Sequence, residues 1–338
     1  MTRWLWWSPH PLARIARGLL VPAALLYRGV TVVRAAAYRR GWLAARRLPL
    51  PTVAVGNLTV GGAGKTPFAA WVAALCARQG RRPGILLRGY GGDEHLVHER
   101  LVPEAIVVRD PDRAAGAARA RAAGAQALVL DDAYQRLDVV RDLNVALVNV
   151  EGLSAAPWPF PAGPWREGLN ALRRADLIVV TRRRAPAAEA RRVAERLGAR
   201  WPATPVAVLH LAVAGFEGMQ SGRRLRLVEV AGKRVLAVAG IADPASFAEQ
   251  LRASGAIVQL VAYQDHHPYR QDDVARLVRA AAGEGADYVV VTEKDAVKLR
   301  DRWPAQAAEP LVAMLDLHWE LNGAVVEGAV EGILRLAL

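Results

Sequence analysis

The sequence predicts an α/β fold in which a mostly parallel sheet is flanked by helices, with a second, smaller α/β lobe after it. Three observations support this prediction. Short apolar runs alternate with helical stretches from residue 51 onward, a second series of the same kind begins near residue 235, and a glycine-rich segment stands between a predicted strand and a predicted helix. The chain has 338 residues, which exceeds the usual size of one domain, so two lobes are expected.

The N-terminal segment, residues 1–48, differs from the rest of the chain. Trp4, Trp6 and Trp7 precede an apolar run at residues 19–27, and arginines stand on both sides of that run. The run is about half of the ~20 residues that cross a hydrocarbon core. We therefore predict an amphipathic, membrane-associating helix that docks on an anionic membrane surface and does not span it. A core helix packed on the main domain is the alternative.

The first α/β series occupies residues 49–215. Its apolar runs predict buried strands and a helix that ends before a glycine. The strands are expected at residues 52–55, 84–87, 127–130, 145–148 and 177–180, and the helix at residues 67–78. Ligands bind at the carboxyl ends of parallel strands, so the residues that follow these runs are the candidates for a functional site.

The second α/β series occupies residues 216–338 and predicts the smaller lobe. Its strands are expected at residues 235–239, 257–261, 288–291 and 311–315. The glycines and mixed charges near residues 215–230 predict the connection between the two lobes.

The composition limits the classes of partner. The formal net charge is +13, from 45 Lys and Arg residues against 32 Asp and Glu residues, and this excess predicts anionic partners. The sequence shows no RNA-binding or DNA-binding signature, so nucleic acid is not expected among them. Cys76 is the only cysteine, which excludes a disulfide framework or a zinc site of several cysteines and fits a reducing compartment.

The glycine-rich segment carries the strongest functional signal, because it lies directly between the first predicted strand and the first predicted helix. In a phosphate-binding loop of this kind, backbone N–H groups surround the phosphates of a nucleotide, a lysine neutralises the β and γ oxygens, and a hydroxyl ligates Mg²⁺. The fold is therefore predicted to be P-loop NTPase-like. The candidate nucleotide-binding residues are Thr59, Val60, Gly61, Gly62, Ala63, Gly64, Lys65 and Thr66. Thr59 stands where the strict pattern has glycine.

An acidic pair, Asp131 and Asp132, follows the apolar run at residues 127–130. A P-loop enzyme uses a carboxylate at the end of a neighbouring strand to hold its metal ion. We therefore predict that Thr66, Asp131 and Asp132 form the Mg²⁺ site. Which of the two aspartates contacts the metal directly stays open at this point.

Several further motifs follow the loop in order. They are Arg88-Gly89-Tyr90-Gly91-Gly92, Asp131-Asp132 with Gln135, Pro161-Ala162-Gly163-Pro164 with Arg166-Glu167, and residues 239–244, 265–269 and 292–299. Together with residues 55–67, these motifs resemble those of the tetraacyldisaccharide 4′-kinases, the lipid A 4′-kinases of Gram-negative bacteria. The resemblance covers roughly residues 20–320, and several ordered motifs are more specific than one loop.

The resemblance implies an activity, its substrates and its location. It implies ATP and Mg²⁺ as cofactors and a tetraacylated glucosamine disaccharide 1-phosphate as the acceptor. The 4′-hydroxyl of that acceptor would be phosphorylated on the cytoplasmic face of the inner membrane, as a step of lipopolysaccharide biosynthesis. The basic, apolar N-terminus is similar to the membrane-associating segment of the family, so we expect a peripheral membrane kinase.

The resemblance also implies a group that takes the proton of the acceptor hydroxyl. Asp93 matches the aspartate of the family's Gly-Asp-Glu motif, and His266 matches the histidine paired with it. We therefore predict Asp93 as the catalytic base, His266 as its orienting partner and Lys65 as the catalytic cation. Three departures from the family pattern are visible. Leu87 stands where the family commonly has serine. The Arg-Gly-Tyr-Gly-Gly and Gly-Asp-Glu motifs share Gly92 here, and Arg136 stands where the family usually has histidine.

Two other functions fit parts of the sequence. A P-loop GTPase or ATPase of the maturation or metallochaperone type shares the loop and the sheet. Residues 292–295 superficially resemble the motif that reads guanine, but the spacing differs, and the Cys and His ligands of a metal-delivery protein are missing from the sequence. A non-catalytic membrane or nucleic-acid binding protein would keep the loop as a relic, but the intact Gly64-Lys65-Thr66 and acidic pair favour the kinase.

Overall fold

The computed structural model describes residues 2–89 and 93–335, which fall into two compact units. The first unit comprises Met1–Gly89, Val102–His210 and Trp319–Leu338, and the second comprises Tyr90–Leu101 and Leu211–His318. The sequence-based boundaries after residues 48 and 215 follow the predicted functions of the segments, and they stay a prediction. Tyr90, Gly91 and Gly92, which belong to one of the family-like motifs, lie outside the described residues.

The helices and strands are numbered in chain order. The helices are α1 Thr2–Trp7, α2 Pro11–Arg39, α3 Lys65–Arg78, α4 Glu94–Leu101, α5 Arg113–Ala122, α6 Ala187–Arg200, α7 Pro244–Ala253, α8 Gln271–Gly283, α9 Glu293–Leu299 and α10 Gly323–Arg335. The strands are β1 Arg46–Arg47, β2 Thr52–Asn57, β3 Pro83–Leu87, β4 Ile106–Arg109, β5 Ala127–Leu130, β6 Val139–Val140, β7 Leu143–Asn149, β8 Leu177–Arg182, β9 Val206–Gly218, β10 Arg224–Arg226, β11 Arg234–Ala239, β12 Ile257–Ala262, β13 Tyr288–Thr292 and β14 Leu311–Leu321.

The first unit contains a parallel sheet in the order β8-β7-β2-β5-β3-β4, and the first residues of β9 pair with β8. Strands β2, β3 and β5 are buried along their whole length, as expected for parallel strands covered on both faces. Helix α3 packs on the sheet through buried side chains such as Phe68 and Val72. The predicted mostly parallel sheet flanked by helices is therefore confirmed.

The register of this sheet determines which side chains lie together. Pairing of Val55 with Val145 and of Val53 with Val129 places the carboxyl ends of β2, β5 and β7 beside one another. The phosphate loop follows β2, and the acidic pair follows β5. The two strongest sequence candidates therefore lie at the same edge of the sheet.

The second unit contains a parallel sheet in the order β12-β11-β13-β14, covered by helices that include α7, α8 and α9. The four strands match the predicted ones. Residues 215–230, predicted as a connection, instead contain an antiparallel pair in which Leu225 of β10 lies opposite Phe216 of β9. Both side chains are buried, which explains why this segment is ordered as strands.

Helix α2 is longer than the apolar run that predicted it. It has 29 residues and continues through the arginines on both sides of the run. Within the described residues it is the one helix whose length and composition suffice to cross a membrane, so the length argument against spanning was wrong. Only Ala13 and Ala24 of this helix are buried, which excludes the alternative of a core helix.

Candidate active site

The phosphate loop begins where β2 ends and finishes where α3 begins. Gly61 and Gly64 have φ angles of 117° and 83°, in the left-handed region that glycine adopts without strain. Gly64 is the N-cap of α3, so the positive end of the helix dipole faces the loop. Thr59 pairs with Trp165 in an isolated bridge, and the Val60 N–H donates to the Pro164 carbonyl at 2.7 Å. The family-like segment around Pro164 thus braces the loop.

The neighbouring strands brace the loop from its other side. Asn149 Nδ2 at the end of β7 donates to the Gly62 carbonyl at 3.0 Å. The Thr181 hydroxyl in β8 donates to the Ala63 carbonyl at 3.1 Å. Strand β7 is the direct neighbour of β2 in the sheet, and β8 is the next strand beyond β7. Since loop carbonyls are the acceptors, these two contacts use none of the loop's backbone N–H groups.

Lys65 lies at the first position of α3 with a largely buried side chain. Its ammonium is 3.2 Å from Asn57 Oδ1, at the end of β2, and 3.6 Å from Asp132 Oδ1. Thr66 is also buried, with 6% of its surface exposed. The structure therefore brings the predicted catalytic cation into contact with Asp132 of the acidic pair.

The acidic pair lies at the turn after β5. Asp131 is buried, and Asp132 has a φ of 51°, a conformation that non-glycine residues adopt at an energetic cost. Asp132 Oδ1 accepts a hydrogen bond from Arg166 Nη1 at 2.7 Å. Burial raises the pKa of Asp132, but the charges of Lys65 and Arg166 outweigh burial and lower that pKa to about 2. Asp132 is therefore a carboxylate at neutral pH.

The donors around the loop fit a magnesium ion. Mg²⁺ prefers hard oxygen ligands and keeps several waters, so P-loop enzymes hold it with one hydroxyl, one or two carboxylates and the phosphates of the substrate. Thr66, Asp131 and Asp132 supply such oxygens. Within the described residues, no group of three or more His, Cys, Asp or Glu side chains is placed to hold a metal ion.

In the second unit, the structure brings the two other predicted catalytic residues together. Asp93 Oδ1 is 2.7 Å from His266 Nδ1, and only 3% of the Asp93 side chain is exposed, against 37% for His266. His266 has a φ of 61°, so its backbone is also in the left-handed region. An ionised carboxylate accepts a hydrogen bond, so the Nδ1 of His266 carries a proton, and its Nε2 is the nitrogen available to accept one.

The two pKa directions follow from this contact. Burial raises the pKa of Asp93, but the hydrogen bond from His266 and the charge of Lys298 outweigh burial, and the pKa lies well below its ordinary value. The hydrogen bond to Asp93 raises the pKa of His266, and burial and the charge of Lys294 oppose this effect without cancelling it. Asp93 is therefore a firmly ionised, weakly basic carboxylate, and His266 is the stronger base of the pair.

Lys298 joins the pair to a buried polar network. Its ammonium is 3.2 Å from Asp93 Oδ2 and 3.4 Å from Asp295 Oδ1. Asp295 is fully buried and accepts hydrogen bonds from the Tyr269 hydroxyl at 3.0 Å and the Gly240 N–H at 3.0 Å. Three of the family-like motifs, at residues 239–244, 265–269 and 292–299, thus meet in one network.

Comparison with known proteins decides the family. The family described as tetraacyldisaccharide-1-P 4′-kinase matches residues 16–100 and 91–334 of the chain. The chain belongs to this family. The tetraacyldisaccharide 4′-kinase of Anaeromyxobacter sp. (strain K) is 37% identical over 365 residues, covering 98% of this chain and 95% of that relative. The tetraacyldisaccharide 4′-kinase of Pelobacter propionicus is 36% identical, covering 88% of each chain.

A solved structure has the same fold. The crystal structure of the "apo" form of LpxK from Aquifex aeolicus in complex with ATP is 24% identical to this chain, with a TM-score of 0.72, and covers 94% of this chain and 99% of that chain. The predicted enzyme class, a kinase, is confirmed by membership of the tetraacyldisaccharide 4′-kinase family. The comparisons do not favour the GTPase or metallochaperone alternative.

Several residues of this kinase's candidate site were missed by the sequence analysis. Asn57 and Arg166 contact Lys65 and Asp132, and Lys298 contacts Asp93. Two signals pointed to Lys298: it lies in the motif at residues 292–299, and the chain has only four lysines. Arg136, which replaces the family's histidine, pairs with Asp138 at 2.8 Å.

Removal of the buried cation in this network should destabilise the protein. Lys298→Met leaves the carboxylates of Asp93 and Asp295 without their shared ammonium, and loss of one partner of a buried ion pair costs about 3 kcal/mol or more. We expect that decrease in the free energy of unfolding, measured by urea denaturation. Lys233→Met is the matched control, because its ammonium is half-exposed and 4.0 Å from Asp287, and it should cost less than about 1 kcal/mol. Equal effects of the two substitutions would contradict the buried network.

Proposed function

We propose that this kinase transfers the γ-phosphate of ATP to the 4′-hydroxyl of a tetraacylated glucosamine disaccharide 1-phosphate, a lipid A precursor. The observation that carries the proposal is the braced phosphate loop, with Lys65 held at the start of α3 beside the acidic pair. The relatives from Anaeromyxobacter and Pelobacter, which carry the name of this activity, support the choice of acceptor.

The first unit binds the nucleotide in this proposal. Backbone N–H groups of the phosphate loop and the N-terminus of α3 surround the β- and γ-phosphates, and Lys65 neutralises their oxygens. The hydroxyl of Thr66 and the carboxylates of Asp131 and Asp132 hold Mg²⁺, which supplies charge neutralisation to the phosphates when it is bound. Arg166 holds Asp132 at 2.7 Å and fixes the direction of its carboxylate.

The second unit supplies the proton acceptor. The 4′-oxygen attacks the γ-phosphorus, the bond from that phosphorus to the β–γ bridging oxygen breaks, and ADP leaves. The hydroxyl proton passes to Nε2 of His266, because Nδ1 already donates to Asp93. Asp93 orients the ring and stabilises the imidazolium, as the carboxylate does in a Ser-His-Asp triad. The roles predicted from the sequence are thus exchanged in our proposal, because the lowered pKa of Asp93 makes it the weaker base.

The contacts and the exposed side chains of α2 support a proposal about the location of the enzyme. One side of this helix touches the first unit, through Tyr27 against Phe160 at 5.7 Å between ring centroids and through Arg34 donating to the Gln135 carbonyl at 3.2 Å. Large apolar side chains on the helix are exposed at helical spacing: Leu12, Ile15, Leu19, Leu26, Val30 and Val33. Because these two contacts attach the helix to its own unit while the apolar stripe is exposed, we propose peripheral association with the cytoplasmic face of the inner membrane.

The test of the proposed function is direct transfer of label. The purified enzyme is incubated with γ-labelled ATP, Mg²⁺ and the disaccharide 1-phosphate in detergent micelles, and the lipid is separated from the nucleotide. We expect label in the lipid, at the 4′ position. A parallel reaction without the lipid measures ATP hydrolysis, and hydrolysis at the same rate with no labelled lipid would identify an ATPase instead.

A further inference from the structure

A cavity of about 580 Å³ lies in the first unit, away from the phosphate loop. One wall is the segment after α2, including Leu43 and Ala45, and the opposite wall includes Val139 of β6. Parallel pairing of Arg46 with Val139 joins the two walls. The cavity also reaches Asn144, near the amino end of β7, whereas the phosphate loop lies at the carboxyl ends of the strands.

The lining of this cavity is strongly basic. It includes four arginines and one acidic residue, namely Arg39, Arg141, Arg173, Arg174 and Asp176. Arg174 is neutralised by Glu167 at 2.6 Å, and the Asp176 carboxylate accepts a hydrogen bond from the Asn144 N–H at 2.8 Å. Within the described part of the chain, the other three arginines have no carboxylate within ion-pair distance.

Arg141 is the arginine of this cavity whose charged form a bound anion would stabilise. Its side chain is partly buried, and both of its hydrogen bonds come from Nη1, to the carbonyls of Ala133 at 3.2 Å and Tyr134 at 3.3 Å. Burial and the nearby charge of Arg174 lower the pKa of Arg141, because each disfavours its charged form. A guanidinium has five N–H donors in a planar fork that matches a phosphate, so a bound phosphate would offset both penalties.

The cavity opens beside side chains typical of a membrane interface. Trp42 is 71% exposed, and the Arg40 guanidinium lies over its ring at 5.2 Å from the centroid. Leu43, which lines the cavity, is 44% exposed. Trp and Arg of this kind sit at head-group depth, and the exposed apolar stripe of α2 leads directly into this segment.

We propose that this cavity binds the phosphate of an anionic membrane phospholipid through Arg39, Arg141 and Arg173. The apolar wall around Leu43 and Val139 would cover the first carbons of that lipid. The site would hold one end of α2 at the membrane and is separate from the binding of the acceptor. This lipid site rests on the membrane association proposed above. It would make the protein bind membranes that contain anionic lipid in preference to others.

Vesicle binding by the full-length protein tests the site. Flotation is measured with vesicles of phosphatidylcholine alone and of phosphatidylcholine with phosphatidylglycerol, for wild type and for Arg39→Gln/Arg173→Gln. We expect the double variant to lose about thirtyfold of the affinity for the anionic vesicles, since each arginine at an anionic surface contributes roughly fivefold. The matched control, Arg191→Gln/Arg192→Gln, removes two exposed arginines of α6 that do not line the cavity and should change this affinity less than about twofold.

Two further measurements distinguish a lipid phosphate from free inorganic phosphate and test lipid binding independently of vesicles. Inorganic phosphate at the ionic strength of a chloride control should not displace the protein from anionic vesicles. Short-chain, soluble phosphatidylglycerol should raise the unfolding temperature of wild type and control but not of the double variant.

Displacement by inorganic phosphate would make free phosphate the ligand and overturn the lipid assignment. Equal preference of wild type and double variant for anionic vesicles would overturn the site. Failure of wild type to bind any vesicle would overturn the membrane association as well, while leaving label transfer in micelles unaffected.

Discussion

Lys65→Met should lower kcat for phosphate transfer by about 100-fold to 1,000-fold, which is the effect of removing one preorganised charge from a developing anion. The ammonium of Lys65 is the cation that the loop places at the start of α3, and methionine keeps the length of the side chain without its charge. Asp132 keeps Arg166 at 2.7 Å, so the fold should survive the substitution. The measurement is transfer of label from γ-labelled ATP, with the unfolding temperature recorded for each variant.

Lys233→Met is the control for this prediction, because it removes another of the four lysines from a half-exposed position in the second unit. Its kcat should stay within about twofold of wild type, as expected for a surface substitution. If Lys65→Met retained wild-type kcat, the loop would bind no transferring phosphate, and the assignment of the nucleotide site would fail.

Loss of the imidazole should have the second large effect. His266→Gln is expected to lower kcat by about 100-fold to 10,000-fold, the usual contribution of general base catalysis. The adjacent His267 provides a matched control, since its Nε2 also contacts a carboxylate, that of Asp273, at 3.0 Å. His267→Gln should therefore reproduce any structural cost of losing a histidine and aspartate contact without the loss of rate. Equal rates for the two variants would remove His266 as the proton acceptor.

The pH profile distinguishes the roles within the pair. His266 accepts a proton only when it is neutral, so kcat/KM should fall as pH drops through its pKa, which Asp93 raises above the ordinary value of about 6.5. Other charged groups also act on the pair: Lys298 contacts Asp93, Asp265 lies 3.8 Å from Nε2 of His266, and the charge of Lys294 opposes the increase in the pKa of His266. Asp93→Asn removes the cause of the increase, so the acidic limb should move to lower pH while the plateau rate falls. An acidic limb that stays in place would assign the observed pKa to another group.

The sequence predicted the parts of the site that depend on local order. The phosphate loop needs a strand, glycines and a helix in succession, and the acidic pair follows an apolar run, so both could be located before the fold was known. The contact of Asp93 with His266 was available only through the resemblance, because the two residues are far apart in sequence. Lys298 and the direction of the two pKa shifts depend on three-dimensional neighbours.

Two features of the fold, the length of α2 and the strand pair at residues 215–230, could not be predicted from the sequence. The apolar run at residues 19–27 was too short to indicate a 29-residue helix, because Arg17 and Arg28 bound the run in sequence while the helix continues through both of them. Residues 215–230 contain glycines that predict a turn, yet burial of Phe216 and Leu225 stabilises a strand pair there. In β9 and β10, tertiary packing outweighs the local preference of this segment for a turn.

In the proposed site, the 3.6 Å contact between Lys65 and Asp132 would make the binding of nucleotide and the binding of Mg²⁺ depend on each other. A triphosphate that recruits the ammonium leaves the carboxylate with one positive neighbour fewer, and its attraction for a divalent cation rises at that moment. Thermodynamic reciprocity requires that the cation strengthen nucleotide binding by the same factor. The enzyme should therefore bind the metal–nucleotide complex more tightly than it binds the metal ion or the nucleotide alone.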